Sequence, residues 1–471
     1  MPLLERGIKV RRPERAVAMI TLALLNVFLV TAALAVVKLT PDRSLALRPP
    51  TVADRTIVPA GAPALAPAEA TAPLPSPGTL ASHLAGPMRG AGLGENLTGV
   101  VIDAMTGRSL YSSNAEQPAV PASTTKVITA AAVLASVNPN HRLTTSAVRS
   151  SRGVILVGGG DPTLTAASPK NAYPKYASLA DLAKQTATAL KAAGTTQVTV
   201  DYDTSAYQGS TMAPGWKQLY FSPEGDVAPV SALELDAGRI VPGPQYTPRV
   251  QDPPAAAAQR FAQMLTSRGV TAHVGSRTTA PKGATRLGAV QSPPVSVLVE
   301  QLLTHSDDDI AEAMARLLAA NLHRPPTFAG GAAATRDVLT RLGVGGGVQI
   351  FDGSGLSHDN RITPSALAKV LALAASPAHP ELHTVLSGMP VAGFSGTLGD
   401  RFDAGTASAG RGVVRAKTGT LDGVNTLAGV VEDADGRLLA FAFMANRVQS
   451  PAAAISALDT LAGTLAGCGC R

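Results

Sequence analysis

Aromatic residues make up 4% of the 471-residue chain, and there is one tryptophan. Proteins that hold single-stranded nucleic acid stack its bases on aromatic side chains, so that class is excluded. The only cysteines, Cys468 and Cys470, stand in the last few residues. They exclude a disulfide framework and a four-cysteine zinc site. Two cysteines one residue apart rarely pair with good geometry, which predicts a frayed tail with free or intermolecular thiols. Charged residues are scarce at 15%, against 45% hydrophobic, which excludes a wholly disordered or acidic-tail protein. The net charge of +7 is not a nucleic-acid footprint. The first fifteen residues carry Arg6, Lys9, Arg11, Arg12 and Arg15 against Glu5 and Glu14, and the remaining excess is dilute. Gly158-Gly159-Gly160 is not followed by Gly-Lys-Ser/Thr, so it is not a nucleotide loop. No internal repeat is visible.

What is present begins with an uncharged run, residues 16–37, whose only polar residues are Thr21, Asn26 and Thr31. Its length suits a helix across a hydrocarbon core of roughly 30 Å. The basic flank ahead of it, residues 1–15, predicts a cytoplasmic N-terminus and an exported remainder. A cleaved signal peptide ending near Ala33-Leu34-Ala35 is the alternative, and it exports the remainder equally. Residues 38–90 are rich in Pro and Ala and read as an extended, semi-rigid spacer.

Order is expected from about Leu93. Asn96–Asp103 and Arg108–Ser112 read as paired strands around Ala104-Met105-Thr106-Gly107, and STTKVITAAAVLA after Pro121 reads as a buried helix. From residue 144 to 292 short strand-like and helical runs alternate with Pro and Gly, which predicts one or two inserted α+β modules. A helix follows Ser306. Thr426–Val431 and Arg437–Met444 flank Asp433-Ala434-Asp435-Gly436, a hairpin signal. Pro451–Ala466 reads as a closing helix. The class is therefore α+β, an antiparallel sheet covered by helices. Its catalytic domain is split into 91–143 and 293–471.

Three short constellations carry chemistry. In Ser123-Thr124-Thr125-Lys126 the serine and lysine, three residues apart, share one helix face. A serine hydroxyl needs an adjacent base, and a desolvated lysine near other cations can be one. Taken alone, the pair is equally a capping serine beside a snorkelling lysine. Lys417-Thr418-Gly419-Thr420 lies on a predicted edge strand, with a cation, carboxylate-binding hydroxyls and a glycine that leaves room for a bound peptide backbone. Backbone N–H groups of Ser123 and of the residue after Gly419 suit an oxyanion hole. Ser306-Asp307-Asp308 stands between them.

Ser-x-x-Lys, Ser-Asp-Asn and Lys-Thr-Gly form the set of class A β-lactamases and penicillin-binding proteins. The chain resembles the D-alanyl-D-alanine carboxypeptidase/endopeptidase family, the class C low-molecular-mass penicillin-binding proteins. Further strings carry the resemblance: Gly158 to Leu164 (GGGDPTL), Asp352 to Ser357 (DGSGLS), Asn360 to Thr363 (NRIT), Gly396-Thr397-Leu398 before Arg401, and Ala311-Glu312.

The resemblance implies a penicillin-binding-protein/β-lactamase-like transpeptidase fold with inserted domains. It implies that Ser123 attacks a D-Ala-D-Ala or cross-link carbonyl, Lys126 takes its proton, and Ser306 relays a proton to the leaving amine. Lys417 supplies the field, and Thr418 and Thr420 bind the terminal carboxylate. Peptidoglycan stem peptides are the implied substrate and β-lactams the implied covalent inhibitors. No metal, cofactor or nucleic acid is implied.

One residue departs from the pattern: Asp308 stands where the family has Asn. A carboxylate only accepts hydrogen bonds, and beside Lys126 it favours the ammonium and weakens the base. Pairing Asp308 with Lys417 would relieve this; otherwise catalysis is slow, or the chain is a wall-binding scaffold of the same fold. A β-lactamase is a further reading, opposed by the long insertion and the absence of an obvious deacylating glutamate. Asp307-Asp308-Asp309 is read as carboxylates suited to a helix start rather than a cation site. His305 and His358 are read as solvent-facing or hydrogen-bonded. Glu312 is read as a solvated or salt-bridged helix face.

Overall fold

The computed structural model describes residues 72–90, 92–169, 171–243 and 246–470. The apolar run 16–37, with its basic flank and most of the expected spacer, lies outside the described residues. Among those described, no helix is long and apolar enough to cross a membrane.

In chain order the first elements are α1 (Pro77–Ala85), β1 (Asn96–Asp103), β2 (Ser109–Ser113) and α2 (Thr125–Leu134). Then come β3 (Thr144–Ser150), β4 (Gly153–Val157), α3 (Leu179–Ala192), β5 (Gln197–Asp203), α4 (Pro253–Thr266), β6 (Thr271–Arg277) and β7 (Arg286–Gln291). A helical run follows: α5 (Val295–His305), α6 (Asp308–Asn321) and α7 (Phe328–Arg341). Two short strands, β8 (Val348–Gln349) and β9 (Arg361–Ile362), precede α8 (Pro364–Ala375) and α9 (His383–Ser387). The chain closes with β10 (Val414–Leu421), β11 (Val424–Glu432), β12 (Leu438–Asn446) and α10 (Pro451–Ala466).

The main sheet has the order β10-β11-β12-β1-β2, antiparallel throughout. The first strand therefore lies between elements from opposite ends of the chain, with Asn96 opposite Asn446 and Asp103 opposite Leu439. A buried two-pronged pair fixes that join: Arg437 Nε and Nη2 reach Asp103 Oδ1 and Oδ2 at 2.7 and 2.6 Å. Both faces of the sheet are covered, and β12 shows how. Ala440, Ala442 and Met444 face a layer built on α2, α5, α6, α7 and α8. Leu439, Phe441 and Phe443 face α1 and α10. The alternation is the two-residue period of a strand. Small side chains on the first face let α8 approach closely, while α2 lies among the other helices of the layer with all ten of its residues buried. Each fully buried Leu or Phe contributes roughly 1.5–3 kcal/mol through apolar area removed from water.

Two expectations are corrected on the second face. The predicted spacer does not run to residue 90. Pro77 opens α1, whose Leu80 and Leu84 are fully buried, because two leucines at i and i+4 give even a short helix an apolar stripe. The cysteine tail is not frayed. Cys468 and Cys470 are buried and joined as a disulfide, and the Cys470 carbonyl accepts the Ser76 N–H.

Residues 144–291 hold a second, mixed sheet of order β6-β5-β4-β3-β7, with its own core against α3 and α4. Residues 204–243 and 246–252 lie outside that sheet, and part of them packs on α7 and the loop after β8 instead. Trp216, Tyr220 and Phe221 form a cluster with Phe328 and Leu356. The inserted segment is thus also a brace for the site.

Candidate active site

Ser123 sits in a single 3-10 turn, Ala122–Thr124, that leads into α2. Ala122 is held at φ +49°, a left-handed conformation for a residue with a Cβ, so strain is stored directly before the hydroxyl. The surroundings over-determine the turn. The Pro121 carbonyl accepts from Thr124 Oγ1 at 2.7 Å and Thr426 Oγ1 at 2.8 Å, and the Ala122 carbonyl accepts from Thr125 Oγ1 at 2.9 Å. Two glycines close on it. A Cβ at Gly355 would lie 2.0 Å from the Ala122 carbonyl oxygen. A Cβ at Gly419 would lie 2.2 Å from Thr426 Oγ1 and 2.7 Å from the Pro121 carbonyl oxygen. The glycine of Lys-Thr-Gly therefore makes room for the serine turn.

Lys126 is completely buried, and its Nζ has three partners. It lies 3.0 Å from Ser123 Oγ, 2.6 Å from Asp308 Oδ1 and 2.7 Å from the Ser354 carbonyl oxygen. An ammonium has three N–H donors, so all are used. A neutral amine in the same place would give two N–H groups to the two pure acceptors and turn its lone pair to Ser123. The site is thus built around a lysine that can serve as base once it loses a proton. Asp308 is buried, and burial pushes its carboxyl up from the usual range while the charge of Lys126 pulls it down.

Ser306 ends α5 at φ +58°, which turns its hydroxyl toward β10. Lys417 Nζ donates to Ser306 Oγ at 2.8 Å and to the Thr418 carbonyl at 2.8 Å. Burial, reinforced by the charge of Lys126, pushes the Lys417 ammonium well below the ordinary lysine range. Asp308 pairs with Lys126 and not with Lys417, so the relief anticipated from an Asp308–Lys417 pair is not realised. The reason is placement: Asp308 is in the first turn of α6, packed beside α2, while Lys417 is taken by Ser306. Thr418 Oγ1 donates to Thr397 Oγ1 at 2.9 Å, and Thr420, which is exposed, accepts from Asn425 Nδ2 at 3.2 Å. The three motifs converge on one place from α2, the α5–α6 junction and β10.

The three consecutive aspartates have three different tasks. Asp307 caps α6 by accepting the Ile310 N–H at 2.8 Å. Asp308 holds Lys126. Asp309 turns to the inserted segment, accepting the Ala228 N–H at 2.8 Å and pairing with buried Arg249 at 3.0 Å. Among the described residues no group of acidic, histidine or cysteine side chains is arranged to hold a metal.

Several contributors escaped the sequence reading. Asp352 organises the DGSGLS loop, accepting from Trp216 Nε1 at 2.7 Å, from the N–H groups of Gly355 and Ser357, and from Asn360 Nδ2. Its string was noticed, but nothing local announces a partner 136 residues away. Thr397 lay in another noticed string. Asp226 had no signal at all; burial and the charges of Asp308 and Glu224 push its carboxyl to about 7. Glu312 is salt-bridged to Arg316, one of the two readings made of it, but the pair is fully buried and not on a solvated face.

An all-antiparallel sheet sandwiched by helices, with a serine–lysine pair, a serine–lysine partner and a strand-borne Lys-Thr-Gly, defines an active-site-serine enzyme of the penicillin-binding-protein type. The family model of D-Ala-D-Ala carboxypeptidase 3 (S13) matches residues 78–246 and 241–466. A carboxypeptidase of Mycobacterium tuberculosis is 38% identical over 431 residues, 90% of this chain and 89% of the relative. Carboxypeptidase DacB of Mycolicibacterium smegmatis is 38% identical over 433 residues, 90% of this chain and 89% of the relative. The chain belongs to the D-Ala-D-Ala carboxypeptidase 3 (S13) family. Its fold is that of penicillin binding protein 4 of Haemophilus influenzae, with TM-score 0.66 and 21% identity over 82% of this chain and 98% of that one. A structure of the same relative with a bound β-lactam matches at TM-score 0.63, over 80% of this chain and 97% of that one, again at 21% identity.

Proposed function

We propose that the protein is a serine DD-peptidase that cleaves D-Ala-D-Ala or cross-link bonds of peptidoglycan stem peptides through an acyl-enzyme on Ser123. The observation that carries this reading is the 3.0 Å approach of Lys126 Nζ to Ser123 Oγ, inside a site where Lys126 has only acceptors for its other contacts. In this reading Lys126, as the neutral amine, takes the Ser123 proton while Ser123 Oγ attacks the carbonyl. Ser306, which receives a hydrogen bond from Lys417, passes a proton to the leaving D-alanine amine. Thr418 and Thr420 receive the substrate's terminal carboxylate, and the backbone N–H groups of Ser123 and Thr420 stabilise the oxyanion. Water then cleaves the ester. β-Lactams, which mimic acyl-D-Ala-D-Ala, acylate the same oxygen. Asp308 slows the first step by holding Lys126 as an ammonium, so turnover is modest.

The chain acts outside the cytoplasm, held at the membrane by residues 16–37, or freed if that run is a cleaved signal. The basic residues ahead of the run support this orientation. Incubation with a pentapeptide muropeptide and with a cross-linked dimer tests the activity. Released D-alanine marks a carboxypeptidase and released monomers an endopeptidase; neither product would refute the reading.

A further inference from the structure

Glu312 is completely buried, and no step above uses it. It lies on α6 one turn after Asp308, so the face that offers Asp308 to Lys126 offers Glu312 to the loop behind it. Glu312 Oε1 accepts the backbone N–H of Gly353 at 3.0 Å and that of Ser354 at 2.8 Å. The carbonyl of the same Ser354 accepts from Lys126 Nζ at 2.7 Å. Its other oxygen, Oε2, meets Arg316 Nη1 at 3.2 Å, and the Arg316 guanidinium stacks on Phe328, 4.0 Å from the ring centroid. A carboxylate this far from water is unfavourable unless paired and hydrogen-bonded, and here Arg316 pairs one oxygen while the other is aimed at one backbone turn.

We propose that Glu312 is a positioning residue for the general base. It holds the Gly353–Ser354 turn so that the Ser354 carbonyl fixes the rotation of the Lys126 amine and leaves its lone pair facing Ser123. The reasoning is one of donors and acceptors. A neutral amine has two N–H groups and one lone pair. Asp308 and the Ser354 carbonyl can only accept from it, and Ser123 is the one partner able to donate. With both acceptors in place, a single rotamer points the lone pair at the hydroxyl. If the Ser354 carbonyl drifts, the amine turns freely and the base loses its aim, though Lys126 itself is untouched. Arg316 seats Glu312 and opposes the burial that raises its carboxyl to about 7, and Thr129 Oγ1, donating to the Gly353 carbonyl at 2.7 Å, holds the same turn from α2.

This inference rests on the reading of Ser123 and Lys126 as nucleophile and base. The test is stopped-flow acylation of the full chain by a fluorescent penicillin, resolving the acylation rate constant, the non-covalent binding constant and the final labelled fraction. Glu312→Ala is expected to lower the rate constant about 100-fold, with binding and labelled fraction unchanged. Glu312→Gln keeps an acceptor oxygen and is expected to stay within about fivefold of the parent. Should Glu312→Ala fail to fold, the double substitution Glu312→Met with Arg316→Met removes the buried pair at similar volume, a replacement that buried ion pairs often tolerate. The same 100-fold loss is expected of it. A normal rate constant in either variant overturns the proposal. So does a smaller labelled fraction with a normal rate constant, which marks a purely structural role. An unlabelled Ser123 in the parent protein would remove the underlying reading, and this inference with it; that outcome is distinct because it appears before any substitution.

Discussion

Lys126 Nζ lies 2.6 Å from Asp308 Oδ1 and 3.0 Å from Ser123 Oγ, so the carboxylate holds the lysine more closely than the hydroxyl does. The base of this site is therefore restrained by its own neighbour. Asp308→Asn replaces the carboxylate with a neutral amide whose oxygen can still accept from Lys126, and should speed acylation about tenfold. The rate constant of acylation by a penicillin checks this. A slower variant would make Asp308 a working member of the proton path rather than a brake.

Asp226, on the inserted segment, feels the charge of Asp308. Burial, with the charges of Asp308 and Glu224 against it, pushes its carboxyl to about 7. Its ionisation near pH 7 adds negative charge near Asp308, so the pH profile of acylation should carry a step near 7 that Asp226→Asn removes. A profile that Asp226→Asn leaves unchanged would contradict this coupling.

Gly419 bears the closest packing of β10 on the serine turn. In Gly419→Ala the new Cβ would collide with Thr426 Oγ1 and the Pro121 carbonyl, and the second is backbone. Ser123 should be displaced and acylation reduced about 100-fold, while the melting temperature changes little because β10 is an edge strand. An unimpaired acylation rate would mean that the turn is held by Gly355 and its hydrogen bonds alone.

Asp161 contributes a pH-dependent term to stability. It is buried in the inserted region, with Oδ1 accepting from Thr163 and Oδ2 unpartnered, and burial raises its carboxyl to about 6. A raised carboxyl leaves the folded state holding a proton that the unfolded state has lost. Stability from this group is thus full below about pH 4 and falls as pH rises toward 6, by on the order of 3 kcal/mol. Asp161→Asn should abolish that decline, and the difference between the two unfolding curves measured from pH 4 to 7 should carry it. Parallel curves would contradict the assignment.

The site was legible where its chemistry is local. Ser123 and Lys126 are one helical turn apart, so their meeting follows from helix geometry, and the order of the three motifs supplied the rest. What escaped depends on long-range contact. The salt bridge of Glu312 was legible from its helix, but its burial was not, because nothing in its neighbourhood says that the Gly353–Ser354 turn lies against it. Trp216 and Asp352 meet across 136 residues. The pairing choice of Asp308 was open because two lysines compete for it, and only the packing of α6 beside α2 decides. The buried tail was missed for a similar reason: Cys468 and Cys470 join an apolar cluster shared by α1, α10 and the sheet, and their carbonyls accept from Ala434 and Ser76, both far away in sequence.

The central claim is that Ser123 is the nucleophile. The direct measurement is intact-mass analysis of the protein after exposure to a penicillin, with Ser123→Ala alongside. The account predicts one stable adduct, mapped to Ser123 and absent from the variant. A folded protein that shows no adduct after hours, or an adduct that persists in Ser123→Ala, would contradict it.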